Sequence, residues 1–508
     1  MLRGVVFRDP KQDLDGVKHD GAERQARSDS APSRRKFMRN MAIGTAGATL
    51  ARLDVVRTGD SVDNCDHDFE FCNWDGSLCC DPKRFCQPQT EAEIVKIVKD
   101  TYQRGGVVRT FGAGHSWSPL VLTDDTLVNL DKLKHLVSID KGQMRATVQA
   151  GIRIKELVKV LRRNGLALKN LGSIKEQSIA GAISTATHGT GLNIGSISTQ
   201  IVAMKLVNGR GEVVDLSVEK NPDLMSAARV SLGSLGIIVE VTIQCVKDYN
   251  LIYEARDLPF DKVLDQLDQT LHENERLRLY WFNFFPDTFK VMTMNPTDRV
   301  RSPNIKYPDE FTRDIIDRKG TVKPIAASTY DLYHWLGFGL DLAGKKKREI
   351  EARARWLSGR EVKPYDEALT VLMPPPHQES EYAIRYQRAA EAVRMVRKFI
   401  KERNFLNPIL VEVRFVDKDD IMLSPAYGQQ VCYVGGYIWF DPNVDAFFAG
   451  FESIMRSLNG KPHWGKHLTL SAKEAEQMYP RVGEFKRIRR EFDPKGIFTN
   501  DFIRRLFG

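Results

Sequence analysis

From residue 90 onward the spacing of apolar positions alternates between a helical and a strand period. Ile94, Ile97, Val98 and Thr101 recur at helical spacing behind Thr90. Glu93 stands three residues after that threonine, a capping-box pattern, and Gly105 is placed to close the helix. Residues 107–111 (Val-Val-Arg-Thr-Phe) then read as a short buried strand ended by glycine. Residues 127–130 predict another strand, and 136–140 with 144–150 a hairpin about Lys141-Gly142. Ile154, Leu157, Val158 and Leu161 mark a second helix that stops near Gly165. A further hairpin is predicted from 201–207 and 212–216 about residues 208–211, then a helix opened by Asn221-Pro222, then a β-rich run over 236–245.

Past residue 250 the texture changes. Aromatic strand-like runs such as 279–285 alternate with helices. Residues 295–325, rich in Pro, Arg and Asp, read as loop with one helix, and Pro374-Pro375-Pro376 marks a break. Within 386–399 and just beyond, Ala389, Ala390, Val393, Val396 and Ile400 form an apolar stripe. In residues 408–415 period two sets Ile409, Val411, Val413 and Phe415 on one face, and Leu410, Glu412 and Arg414 on the other. On a solvent-facing strand Glu412 and Arg414 would be an ordinary ion pair. On a cleft wall they would be preorganised to hold hydroxyls and stabilise negative charge.

Two glycine-rich segments carry candidate chemistry. Gly112, Ala113 and Gly114 leave the backbone open, so their N–H groups can turn toward a phosphate, with His115 and Ser116 directly behind. The third glycine of a Rossmann fingerprint is absent, and Pro119 opposes a helix after the loop. Residues 173–191 are the second segment. Gly181 and its small neighbours allow close approach to a flat ligand, and hydroxyls such as Ser173 and Thr185 can bind phosphate or ring oxygens. The same pattern also suits a small-residue helix packed tightly on a sheet. Further on, His463 and His467 are four apart, but the zinc-peptidase glutamate is missing and Gly465 weakens a helix, so no metal is expected. His463, Trp464 and Lys466 instead offer an imidazole, an aromatic wall and a cation to one pocket.

Composition changes this picture little. The 508 residues suffice for two or more domains, and the net charge of +9 is inflated by the amino-terminal tail. Residues 1–53 hold 11 Lys/Arg and 6 Asp/Glu, which leaves 64 against 60 elsewhere, so nucleic acid is not an expected partner. In that tail Ser33-Arg34-Arg35-Lys36-Phe37-Met38 and the weakly apolar run after it resemble a twin-arginine export signal. This predicts export through that machinery to the periplasm or cell envelope, the alternatives being a cytoplasmic or membrane-associated protein. Five of seven cysteines, Cys65, Cys72, Cys79, Cys80 and Cys86, cluster behind the tail. One or two disulfides of unknown pairing are favoured over a zinc site, because no Cys-x-x-Cys pair exists.

In combination, the β-α-β start, the Gly112–Ser116 loop, the Thr187-His188-Gly189-Thr190-Gly191 segment and Leu232-Gly-Ser-Leu-Gly-Ile237 resemble the flavin-binding domain of the vanillyl-alcohol oxidase and p-cresol methylhydroxylase family. The resemblance implies an α+β fold: a two-subdomain FAD-binding domain of PCMH type over 80–250, then an α+β substrate (cap) domain with a largely antiparallel sheet over 251–508. Residues 1–62 are left as export signal and disordered tail, and 63–79 as a Cys-rich lead-in. It implies FAD with its pyrophosphate on the Gly112–Ser116 loop, joined covalently through His115, the alternative being noncovalent FAD with His115 nearby. The implied cofactor-binding residues are Gly112, Ala113, Gly114, His115, Ser116, Ser173, Gly181, Thr185, His188, Gly189 and Ile238. Glu412-Val-Arg-Phe415, Asp419-Asp-Ile-Met-Leu-Ser-Pro425, Pro462-His-Trp-Gly-Lys466 and Met478-Tyr-Pro480 resemble the sugar-1,4-lactone oxidases, the group of L-gulonolactone and D-arabinonolactone oxidases. The implied substrate is a sugar lactone or related polyol, with O2 or another electron acceptor. Arg414 and Lys466 are then candidates for stabilising negative charge, Glu412 for orienting hydroxyls and holding Arg414, and His463 for accepting a proton.

Overall fold

The computed structural model describes residues 65–283, 285–302, 359–371, 377–403, 405, 409–438 and 443–508. The arginine pair and its tail, most of the 295–325 loop and the triple proline lie outside them. Among the described residues no helix is long and apolar enough to cross a membrane.

The helical and strand periods appear where they are expected. The first helix is Glu91–Arg104, capped by the Thr90 side chain and closed by Gly105 at φ 66°. The capping box forms only in half. Thr90 accepts the Glu93 N–H, but the Glu93 carboxylate reaches past Thr90 to take the Gln89 N–H at 2.9 Å. Both hairpins form, as Leu136–Asp140 with Arg145–Gln149 and as Ile201–Val207 with Val213–Ser217. Pro222 opens the helix Pro222–Ala228, although the Asn221 side chain makes no cap bond. In the long helix Ala389–Arg403 the buried stripe uses Ala392 where the sequence suggests Ala390.

Two sheets make the amino-terminal half. One has four strands, in the order Cys65–Asp66, Arg84–Cys86, Thr126–Asn129, Val108–Phe111, with the last three parallel. The other is antiparallel with five strands: Val213–Ser217, Ile201–Val207, Ile237–Gln244, Arg145–Gln149 and Leu136–Asp140. The cysteine cluster forms the disulfides Cys65–Cys86 and Cys72–Cys79, with Cys80 free. The second closes a small hairpin that lies on the glycine loop, where the Trp74 N–H donates to the Gly114 carbonyl and the Asn73 amide to that of Ser116.

An eight-stranded antiparallel sheet follows, in the order Gly359–Pro364, Asn250–Pro259, Thr288–Thr297, Arg276–Phe282, Ile409–Val416, Val431–Ile438, Gln378–Arg385, Lys461–Pro462. Its central strands are buried on both faces, but the two faces differ in chemistry. One packs Leu279, Trp281, Ile409, Val411, Val413 and Val434 under the helices Ala389–Arg403 and Val444–Ser457. The other presents polar residues to the amino-terminal half.

The chain then returns. Trp464, Phe485, Phe498 and Phe507 share one core with Ile94, Val98 and Val108. Arg109 fastens this return. It is buried, and its guanidinium donates to the carbonyls of Leu120, Gly233, Leu232 and Phe498. Burial pushes its pKa down to about 10, which still leaves it charged at neutral pH. Each buried acceptor left without a donor costs about 1–3 kcal/mol. Arg109→Met is therefore expected to lower the unfolding free energy by at least about 3 kcal/mol, read as a drop in the urea midpoint.

Candidate active site

Strand register builds one half of the site. On the polar face of the large sheet three rows run across four strands. Arg278, Arg414, Tyr433 and Ala383 make the first row, Tyr280, Glu412, Gly435 and Glu381 the second, and Phe282, Leu410, Tyr437 and Glu379 the third. Gly435 contributes no side chain between Glu412 and Glu381, and a Cβ there would meet the Tyr437 ring at 3.2 Å. The hollow lets Arg414 reach both carboxylates. Its Nη2 donates to Glu381 Oε1 at 2.6 Å, and its Nε lies 3.5 Å from Glu412 Oε2. Nη1 donates to the Ser173 hydroxyl at 3.0 Å and to the His188 carbonyl at 3.3 Å.

Glu412 is held mainly by other groups. Arg278 Nε lies 3.3 Å from it, and the Tyr437 hydroxyl donates to it. The expected pairing of Glu412 with Arg414 is therefore the longer of two contacts, and Glu381 is the main partner of Arg414. Burial alone would raise the Glu381 carboxyl, but Arg414, with His188 and His463, holds it well below the usual carboxylate range. Lys466 ion-pairs with Glu379 and lies 4.5 Å from the centre of the Trp117 ring.

The other half is the glycine loop. A cleft partly open to solvent runs along Gly112, Ala113, Gly114, His115 and Ser116. It continues past Gly181, Thr185 and Ile238, so eight of the expected cofactor residues line one cleft. Gly114 sits at φ 69°, which a side chain disfavours, and a Cβ on Gly112 would lie 2.1 Å from Ser178 Oγ. The remaining three lie elsewhere. Ser173 and His188 contact Arg414, and Gly189 packs against Asn170 and the Leu171 carbonyl. His188 is stacked on Tyr433 with ring centroids 3.5 Å apart.

His115 is half-buried, and its Nε2, which is shielded from solvent, has no hydrogen-bond partner among the described residues. Burial first, then Arg153, Lys466 and His377, push its pKa down to about 3, so the ring is neutral and keeps a lone pair. Trp74 lies 5.4 Å from both His115 and His377, and Trp117 donates its indole N–H to the His377 carbonyl. These rings join the cleft to Lys466 and the carboxylates. His463 and His467, four apart in the sequence, separate here. His467 stacks on Phe448, while His463 stays beside His188 with ring centroids 5.6 Å apart. The Gly465 N–H donates to His463 Nδ1 at 3.1 Å, so a neutral His463 carries its proton on Nε2. His463 therefore presents a donor to the site, which opposes the proton-accepting role expected for it.

The comparisons with known proteins follow this division. The model of the D-arabinono-1,4-lactone oxidase family matches residues 241–506, more than half of the chain, and that of an FAD-binding domain matches residues 82–217.

The chain belongs to the D-arabinono-1,4-lactone oxidase family.

L-gulonolactone oxidase of Scyliorhinus torazame is 32% identical over 451 residues, covering 86% of this chain and 98% of that protein. L-gulono-1,4-lactone dehydrogenase of Mycobacterium tuberculosis is 30% identical over 445 residues, 86% and 99% of the two chains. Among solved structures, cholesterol oxidase from B. sterolicum matches with a TM-score of 0.70 at 16% identity, over 86% and 96% of the chains. That likeness shows the fold alone, a PCMH-type FAD-binding fold with a large antiparallel sheet. The cofactor is FAD. The glycine cradle and the His115 Nε2, shielded and without a hydrogen-bond partner among the described residues, fit such a group.

The sequence reading missed Glu379 and Glu381, Arg278, Tyr437, His377 and Trp74. A signal existed for the first two: Glu379-Ser-Glu381 alternates just ahead of the apolar run from Tyr382, the same pattern that singles out Glu412 and Arg414.

Proposed function

We propose that this protein oxidises a CH–OH group of an aldono-1,4-lactone, and the observation that carries the reading is the polar face on which Arg414, Glu412, Glu381 and Lys466 meet beside the His115 cleft. When bound, FAD supplies the hydride acceptor. The chain's own groups supply the rest. Glu412, fixed by Arg278 and Tyr437, keeps an oxygen for substrate hydroxyls, and Arg414 offers a fixed cation to a substrate oxygen as it gains negative charge. The Trp117 and Tyr437 rings flank the half-buried Lys466 ammonium, and Trp74 packs edge-on against Trp117. A lactone bearing several hydroxyls matches this alternation of carboxylates and cations better than an apolar alcohol does.

Oxygen is the proposed acceptor, with hydrogen peroxide as product. A dehydrogenase using another acceptor is the second reading, favoured by the mycobacterial relative's name. Purified protein assayed on gulono-, galactono- and arabinono-lactones, with an oxygen electrode and then with an artificial dye acceptor, separates the two. Turnover on no lactone with either acceptor overturns the proposal.

The covalent attachment is proposed on the neutral lone pair of His115. After acid precipitation the flavin absorbance is expected to stay with the pellet, and His115→Ala to release it to the supernatant. Release from the wild-type protein would leave FAD held without a covalent bond. Export by the twin-arginine route is proposed on the Arg34-Arg35 signal together with the two disulfides, which persist in an oxidising compartment. A fusion of residues 1–62 to a reporter active only outside the cytoplasm tests it.

A further inference from the structure

His188 and Glu381 face each other in an arrangement that the lactone-oxidising reading does not by itself require. His188 Nδ1 lies 3.0 Å from the Gly189 carbonyl, and a carbonyl only accepts, so Nδ1 carries the proton. A neutral His188 then turns a bare Nε2 lone pair toward Glu381 Oε1, 3.4 Å away. Neither His188 Nε2 nor Glu381 Oε2 has a hydrogen-bond partner among the described residues, and both groups are about 1% exposed. Stacking on Tyr433 holds the imidazole in this orientation. Two buried acceptors thus meet directly beside the main ion pair of Arg414.

We infer that Glu381 is a positioning residue for Arg414, and that proton uptake by the His188–Glu381 pair releases its hold on the guanidinium and sets the acid limit of lactone turnover. The inference rests on the proposed function for its kinetic half only.

The charged and titratable groups around the pair come from every packed element: Glu379 on its own strand, Arg414 and Glu412 on the next but one, Tyr433 and Tyr437 between them, and His463 and Lys466 on the loop behind. Burial first and Arg414 second lower the His188 pKa below 6.5, and Glu381 offsets part of this. Burial works against ionisation of Glu381, and the Arg414 guanidinium outweighs it and keeps the carboxylate charged. At neutral pH the pair therefore holds no extra proton, and the carboxylate binds Arg414 at full charge. As the pH falls through the lowered His188 midpoint one proton enters the pair. On either atom it cancels one charge facing Arg414, and the ion pair weakens. The hold is complete at neutral pH and is lost toward acid. The donor atoms of His188, Glu381 and His463 lie within 4.8 Å of one another, a spacing that also suits a metal ion, but the adjoining Arg414 cation opposes one.

The test uses holoenzyme labelled with 15N-histidine, its ten histidines resolved by NMR and His188 assigned by difference with His188→Asn. His188 is expected to be the Nδ1–H tautomer at neutral pH and to titrate below the ordinary histidine value. In Glu381→Gln the midpoint should fall further, by about one pH unit, because the carboxylate that raised it is gone. In steady state Glu381→Gln should lower kcat by about tenfold and move the acid limb of kcat/KM to lower pH. Glu381→Asp should keep the limb and recover part of kcat, which a merely structural role would not do. An Nε2–H tautomer at His188, a midpoint or acid limb unmoved by Glu381→Gln, or a stoichiometric metal that survives chelation would each overturn the inference. A protein that shows the shifted midpoint but oxidises no lactone would sink the functional reading and keep the proton pairing.

Discussion

Arg414→Ala is expected to cost the protein its activity and a substantial part of its stability. The guanidinium is the main partner of Glu381, a second partner of Glu412, and a donor to Ser173 and the His188 carbonyl. Burial and these carboxylates act in opposite directions on it, and the carboxylates prevail, keeping its pKa well above the ordinary arginine value. Removing one partner of a buried pair leaves an uncompensated charge, a penalty of about 3–5 kcal/mol. Most of it falls on Glu381, because Glu412 keeps Arg278 and the Tyr437 hydroxyl. Loss of a fixed cation aimed at developing negative charge lowers a chemical step by about 10²–10³. The rate of flavin reduction by a lactone, followed anaerobically in a stopped-flow instrument, should fall by about that factor, and the urea midpoint should fall with it. Arg414→Lys separates the two effects. It keeps the charge but loses the fork that spans Glu381 and Ser173, so stability should recover further than rate. Unchanged reduction kinetics in Arg414→Ala would remove this residue from the mechanism.

How much of this was legible in the sequence depended on range. Elements set by local period were readable: the helix behind Thr90, both hairpins and the strand Ile409–Val416 lie where spacing predicts. The two faces of that strand were readable as well, since alternation alone puts Glu412 and Arg414 together. Their partners were not, because Glu381, Arg278 and Tyr437 reach the same hollow through strand order, with 381 two strands from 412 and Gly435 between. No local pattern encodes which strands become neighbours. Tautomers were equally hidden. His463 looks like a proton acceptor in a row of letters, and becomes a donor only when the Gly465 N–H is seen to occupy its other nitrogen. The role of Trp74 was concealed in a cysteine-rich stretch that reads as a lead-in, yet its backbone caps the Gly114 carbonyl.

Gly189→Ala should separate scaffold from cofactor cradle, since the sequence reading joined them. A Cβ at Gly189 would lie 2.0 Å from Asn170 Oδ1 and 2.2 Å from the Leu171 carbonyl oxygen. Neither can yield cheaply. Asn170 is fully buried, its Oδ1 accepts the Leu171 N–H and its amide donates to the Gly195 carbonyl, while the second obstacle is backbone. Overpacking of this kind costs about 1–3 kcal/mol, and the backbone shift that relieves it moves the Gly189 carbonyl that fixes the His188 tautomer. The expected result is a lower urea midpoint and slower lactone turnover, with flavin content per protein near that of wild type, because Gly189 is not part of the cleft lining. Gly112→Ala should do the reverse. Its Cβ would enter the lined cleft 2.1 Å from Ser178 Oγ and 3.1 Å from Ser178 Cβ, displacing the cap of the helix Ile179–Ser184. Flavin content, read from the ratio of flavin to protein absorbance, should then fall sharply. If Gly189→Ala loses its flavin as Gly112→Ala does, the cofactor reaches past the cleft to the Arg414 side, and His188 and Gly189 return to the cofactor-binding set.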